Sequence, residues 1–376
     1  MNKMILTLFL MPLTMTKYTF AASRCENIFK IHDLSTYQLV DEKPIGLQIF
    51  ARDLLAAMSL IERIQRLPKE VFLQEVMKRD LRKHFFRLQA ISSIYAEKAK
   101  HEKFFTDLKT YTKEFEDLLG QIDLQKSLKE RADKFNLPEL STFFAEKQVK
   151  AQELAYQRLS EEQLLIKPKK TLKQLYSQIS EVKSWNNVVK DKTFLVNVIA
   201  EKAEKLQKSC EEMKFDQADI ELGLHELRRH LRWSVIQLAL IDGAIVNTQE
   251  RQLPEKLNHW LTEMQTSQPQ LLTSKFIQRM PPQISEPIQA PHEMTAMISQ
   301  IVTDIGTAKD LAEMQLYFNQ AAQMLGWSQS KIDNMNQQIS SGSVVDHQEL
   351  ARRYQMRIAD TGLMHEFARW MKEYNK

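Results

Sequence analysis

Arginine meets oxyanions with forked, paired hydrogen bonds, and two ten-residue stretches of this chain collect cationic side chains at helical spacing. The first runs from Arg79 to Leu88 and carries Arg79, Arg82, Lys83 and Arg87; the second runs from His225 to Ser234 and carries His225, Arg228, Arg229 and Arg232. They can be laid over one another without a gap and start 146 residues apart. At about 100° per residue, the four cationic residues of the second stretch fall within an arc of about 100°, opposite Leu224, Leu227, Leu231 and Leu238. Leu81, Phe85 and Leu88 oppose the first set in the same way. Several guanidinium groups on one rigid face suit a polyanion, because little ordering is needed on binding. The competing reading is a solvated face, with Glu221 and Glu226 pairing at helical spacing.

Other chemistries find less support. His225 and His230 flank a Glu as in a zinc-protease helix, but that site needs histidines four apart on one face, and these are five apart. No metal site follows, and His84 and His101 lack companions at ligand spacing. There is no Gly-rich phosphate loop and no nucleophile turn. Acids that would cluster around catalytic metal ions in a phosphohydrolase are missing. We therefore expect a binding protein, with no catalytic residue and no cofactor. The tryptophans, Trp185, Trp233, Trp260, Trp327 and Trp370, sit one per helix, a packing distribution rather than a base-stacking platform. Nucleic acid is disfavoured as a partner.

The elements that must present these residues are helices. Only eight glycines occur in 376 residues, and Leu, Ala, Glu, Lys and Gln fill long stretches. Periodicity predicts helices over 46–66, 70–99, 102–119, 123–135, 139–163, 170–186, 192–213, 217–242, 250–265, 292–304, 308–324, 328–339 and 346–374. Breaks fall at Pro68, Gly120, Pro138, Pro168, Gly243, Gly306 and Gly326. Residues 266–291 hold five prolines and read as a long surface excursion. No strand pattern of useful length emerges.

A second pair of landmarks follows the basic stretches: Leu119-Gly120 with Asp123-Leu124, and Ile305-Gly306 with Asp310-Leu311. Each reads as a helix stop followed by a helix start. With these landmarks the chain resembles the CHAD family, the conserved histidine α-helical domain, over about residues 46–376. Each half of that family carries His-x-x-Arg-x-x-x-Arg-Arg-x-Arg, then a Leu-Gly turn and an Asp-Leu step. His225, Arg228 and Arg232 match, with Trp233 and Val235 in place of later arginines; Arg82 and Arg87 match in the first half, where Arg79, Phe86 and Gln89 depart. The resemblance implies two four-helix bundles related by a pseudo-two-fold axis, with the basic helices lining a groove that binds inorganic polyphosphate. On it, Arg79, Arg82, Lys83, Arg87, His225, Arg228, Arg229 and Arg232 are the expected contacts.

The N-terminus reads as a cleavable signal peptide over residues 1–22: Lys3, the apolar run Met4 to Met15, then Ala21, Ala22 and Ser23. The run is too short to span a bilayer, so no transmembrane anchor is expected. Net charge falls from +4 to +2 without Lys3 and Lys17, so any basic function is local. Cys25 and Cys210, the only cysteines, form a disulfide or stay as free thiols in an oxidising compartment. The expected fold is thus all-α: two related helical bundles (residues 46–215 and 216–376) behind a signal peptide and an N-terminal strap, 23–45. The expected protein is periplasmic or secreted and binds polyphosphate or another polyanion. The alternative is a cell-envelope scaffold that meets a protein partner through the excursion or through Arg352, Arg353, Arg357, Phe367, Trp370 and Met371.

Overall fold

A computed structural model describes residues 38–78, 81–96, 102–162, 174–175, 177–179, 188–215, 219–249, 252–274, 277–340 and 346–375. The expected signal peptide, Cys25, Arg79 and most of the expected helix 170–186 lie outside the described residues. The chain is mainly helical, as its composition requires, with two short strands.

Helix α1 (Ile45–Ile64) is apolar almost all round and is correspondingly enclosed: Ile49, Phe50, Leu54, Ala57 and Ile61 are all buried. Its first turn is fixed by Asp191, whose carboxylate accepts from the Gly46 backbone N–H (3.0 Å) and from the Tyr95 hydroxyl (2.6 Å). Helices α2 (Lys69–Lys78), α3 (Leu81–Tyr95) and α4 (Glu102–Lys134) follow. Phe50, Tyr95 and Phe105 meet where α1, α3 and α4 join, with centroids 5.4 to 6.2 Å apart. A turn at Asn136, whose φ is 54°, leads into α5 (Pro138–Glu161), which opens with proline at its first position.

Helix α6 (Val188–Glu211) lies against the last two helices. Its Gln207 donates to the Ile358 and Ala359 carbonyls (both 3.3 Å) and accepts from the Met364 backbone N–H (3.2 Å). Cys210 is fully enclosed there, and burial pushes its thiol pKa up to about 12. One π turn (Glu221–His225) runs into α7 (Glu226–Leu240). Strand β1 (Ile245–Thr248), helix α8 (Glu255–Ser267) and strand β2 (Ile288–Pro291) come next, and the strands pair in parallel with Ile245 opposite Ile288. Asn375 clips the edge of β2, accepting from the Gln289 N–H (2.8 Å) and donating to its carbonyl (3.0 Å). The chain closes with α9 (His292–Met324), α10 (Gln329–Ser340), α11 (His347–Thr361) and α12 (Leu363–Tyr374).

A second core lies between the α4–α5 and α9–α10 hairpins. Leu128, Phe144, Met314, Phe318 and Met335 pack there, with the Phe144 and Phe318 rings stacked at 5.5 Å.

Three expectations are corrected. Gly120 and Gly306 do not stop helices: each lies inside one continuous 33-residue helix, α4 or α9. Gly362 does stop one, at φ 67°, dividing the expected helix 346–374 into α11 and α12. Strands exist, each only four residues long. The proline-rich segment is largely exposed, as a surface excursion would be, and is pinned by buried Leu271, Ile277 and Ile288. Among the described residues no helix is long and apolar enough to cross a membrane.

A β-carbon at Gly46 would lie 1.9 Å from the Tyr95 hydroxyl oxygen. Gly46→Ala should therefore destabilise the fold by about 1–3 kcal/mol through overpacking, read as a lower urea midpoint. An unchanged midpoint would mean that Tyr95 is not seated on this backbone.

Candidate functional site

The second basic stretch is started by Asp219, whose carboxylate accepts from the Glu221 and Leu222 backbone N–H groups (2.7 and 3.1 Å). The π turn then shifts the register, with the His225 N–H reaching back to the Ile220 carbonyl (2.9 Å). From there α7 buries Leu227, Leu231, Ser234, Gln237, Leu238, Leu240 and, just beyond its end, Ile241. Helix α3 buries Leu81, Phe85, Leu88, Ile91, Ser92, Ile94 and Tyr95 at the same seven places in the alignment, and Gln89 and Ala90 besides. The two helices cross in contact: the Phe86 ring stacks on the Trp233 indole at 5.4 Å and 18°. Arg232 places its guanidinium 5.2 Å from the centre of the Phe86 ring.

What stands opposite each cation decides its role. Arg82 donates to Glu116 through Nε and Nη2 (2.9 and 2.7 Å) and to Asp123 through Nη1 (3.1 Å). Burial opposes its charge, but the two carboxylates outweigh burial and raise its pKa. The guanidinium presses on the helix backbone, so that a β-carbon at Gly120 would lie 2.8 Å from Nη2. Arg228 repeats this against α9: a β-carbon at Gly306 would lie 2.8 Å from its Nη2, while its Nε donates to the Val302 carbonyl at 3.3 Å. A side chain at either glycine would therefore displace the guanidinium that rests on it.

Arg87 does not belong with the expected ligand contacts. Its Nε donates to both oxygens of the buried Asp53 carboxylate (2.9 and 3.0 Å), and its Nη2 donates to the Leu240 carbonyl (3.1 Å). Arg52 joins it, donating to the carbonyls of Leu240 (2.8 Å) and Asp242 (3.1 Å). Two guanidiniums thus satisfy the carbonyl end of α7, where the helix dipole favours positive charge. Burial alone pushes the Asp53 carboxyl up, but the His84 hydrogen bond and the charges of Arg87 and Arg52 overcome it and leave the pKa lowered.

The rest are divided. His225 Nδ1 lies 2.7 Å from Glu221, Arg229 donates to Glu226 at 2.6 Å, and Lys83 is exposed. Arg232 keeps contact with solvent, yet its pKa is lowered, first by desolvation at the crossing and then by repulsion from Arg228 and Arg82. Sequence reasoning missed Arg52, Asp53, Glu116, Asp123 and Lys309. The Arg52-Asp53 pair inside the apolar run of α1 was a readable signal, since charges are rarely buried unless paired. Among the described residues one grouping has metal-ligand spacing: Glu221, His225 and Glu313, with ligand atoms within 4.8 Å of one another. Glu313 is already held by Lys309 Nζ at 2.6 Å, so the grouping reads as an ion-pair network.

What the fold and site define is a helical protein with a cation-rich crossing of two helices. No protein-family model matches the chain, and comparison with curated proteins and with solved structures finds no match.

Arg87→Ala would leave the buried Asp53 charge with only His84 and the more distant Arg52 and should destabilise the fold by about 3–5 kcal/mol, whereas Lys83→Ala should stay within about 0.5 kcal/mol. Because the Asp53 pKa lies below the ordinary 3.8, its contribution is present above that value and is lost as pH falls through the lowered one. Urea midpoints measured from pH 7 down to pH 2 check both; equal effects of the two substitutions would remove Arg87 from this role.

Proposed function

We propose that the chain binds inorganic polyphosphate, or a chemically similar phosphate-bearing polyanion, at the crossing of α3 and α7, and that it does so without catalysis. The observation that carries this reading is the pair Arg228 and Arg232 beside the crossing, held by a carbonyl and an aromatic face. Arg228 and Arg232 make no carboxylate hydrogen bond among the described residues. Guanidiniums that repel one another in a partly desolvated place are unfavourable alone, and an oxyanion relieves that repulsion.

We further propose that the two halves are related by an internal repeat, as the resemblance to the CHAD family implies. Three features support it: the matched burial of α3 and α7, the arginine pressed on a mid-helix glycine in each half, and the contact between Phe86 and Arg232. Those two residues occupy aligned positions, and a two-fold axis is where aligned positions can meet. Export to the periplasm or medium is proposed on the leader-like run from Met4 to Met15.

A second reading, a cell-envelope helical scaffold meeting a protein partner, is favoured by Arg82 and Arg87, whose charges are taken up internally. Titration of the mature protein with long-chain polyphosphate at two salt concentrations separates the two. Polyphosphate binding should be micromolar or tighter, should weaken steeply with salt because ions are released, and should fall at least about tenfold in Arg228→Ala/Arg232→Ala. Among the described residues neither arginine holds a buried carboxylate, so this variant should stay folded. Salt-insensitive binding, or none, would leave the scaffold.

A further inference from the structure

The two places where an arginine presses on a glycine are alike in backbone and opposite in charge. The residues four before and three after each glycine share its helix face. Around Gly120 these are Glu116 and Asp123, and both accept from Arg82. Around Gly306 they are Val302 and Lys309. Arg228 donates to the Val302 carbonyl, and Lys309, almost fully buried, is paired with Glu313 at 2.6 Å. Among the described residues one guanidinium is thus met by two carboxylates, and its counterpart by none.

Carboxylate and phosphate oxygens make the same forked contacts with guanidinium. We infer that Glu116 and Asp123 fill the first arginine pocket from within, so that the chain grips only a short or terminal stretch of phosphates, through Arg228 and Arg232. This rests on the polyanion reading and narrows it: an extended polyphosphate needs both pockets, and one of them is occupied by the protein itself. The geometry suits such internal occupancy. Glu116 is mostly buried, its side chain 12% exposed, and is held by two of the three Arg82 contacts, so a ligand would have to displace a preorganised partner rather than water.

The experiment compares tripolyphosphate with long-chain polyphosphate in calorimetric titrations of the native protein and of Glu116→Gln/Asp123→Asn. Arg82 is partly exposed, with 38% of its side chain accessible, so losing these partners does not strand a buried charge. Circular dichroism and a thermal melt verify folding. The double variant should bind long-chain polyphosphate about tenfold more tightly, while tripolyphosphate changes by less than about threefold. A control of equal charge change, Glu146→Gln/Glu153→Gln on the exposed side of α5, should not reproduce this difference.

If both ligands tighten equally, or neither does, while the native protein binds and Arg228→Ala/Arg232→Ala does not, the internal occupancy is wrong and the polyanion reading stands. If the native protein binds neither ligand but the double variant binds the long chain, the occupancy is upheld and complete. If nothing binds to either protein, both readings fall.

Discussion

A single buried carboxylate, Asp53, sets the arrangement on which the basic crossing depends. It lies in the most enclosed of the described helices and holds Arg87 from α3, beside Arg52 from its own helix. Those guanidiniums in turn face the last carbonyls of α7. One charge therefore ties three helices, α1, α3 and α7, at one place. Taking a carboxylate and two guanidiniums out of water costs several kcal/mol for each ion, and only near-complete hydrogen bonding offsets it. The helix end contributes the acceptors that Asp53 lacks. With α3 and α7 fixed there, Phe86 meets Trp233, and Arg82, Arg228 and Arg232 come close enough to influence one another.

The same residue type performs opposite tasks within a few turns of helix. Arg87 is a clamp because a buried acid faces it. Arg82 is held almost as firmly, although its acids lie closer to solvent. Arg228 and Arg232 meet a carbonyl and an aromatic face, neither of which removes a full charge. Counting arginines along a helix therefore overstates what a ligand can reach, and the opposing helix has to be known first.

That is also where legibility in the sequence ends. Periodicity placed most helices, and the gapless alignment of the two basic stretches picked out the two helices that cross. Both depend on information within a few turns of chain. Gly120 and Gly306 read as helix stops because a glycine's commonest local meaning is a left-handed cap. Their actual reason is an arginine from another helix pressing on the backbone, which no local pattern contains. Gly362 shows the converse: a continuous amphipathic pattern hid a residue whose φ of 67° ends a helix. The strands were too short for alternation to register. Arg87 looked like its neighbours because its partner lies in α1, in a run that otherwise reads as plain core.

The aromatic pair at the crossing follows from the same physics. Phe86 and Trp233 stand where α3 and α7 meet. Guanidiniums facing each other there would repel. Stacked rings instead bury apolar surface, worth about 0.5–1.5 kcal/mol beyond the area itself. The Phe86 ring also offers its face to Arg232, supporting the charge by about 0.5–2 kcal/mol without cancelling it. A carboxylate there would have neutralised the arginine; an aromatic ring holds it in position and leaves its hydrogen-bond donors available. Arg232 thus keeps its charge at the crossing, oriented by a ring rather than cancelled by an acid.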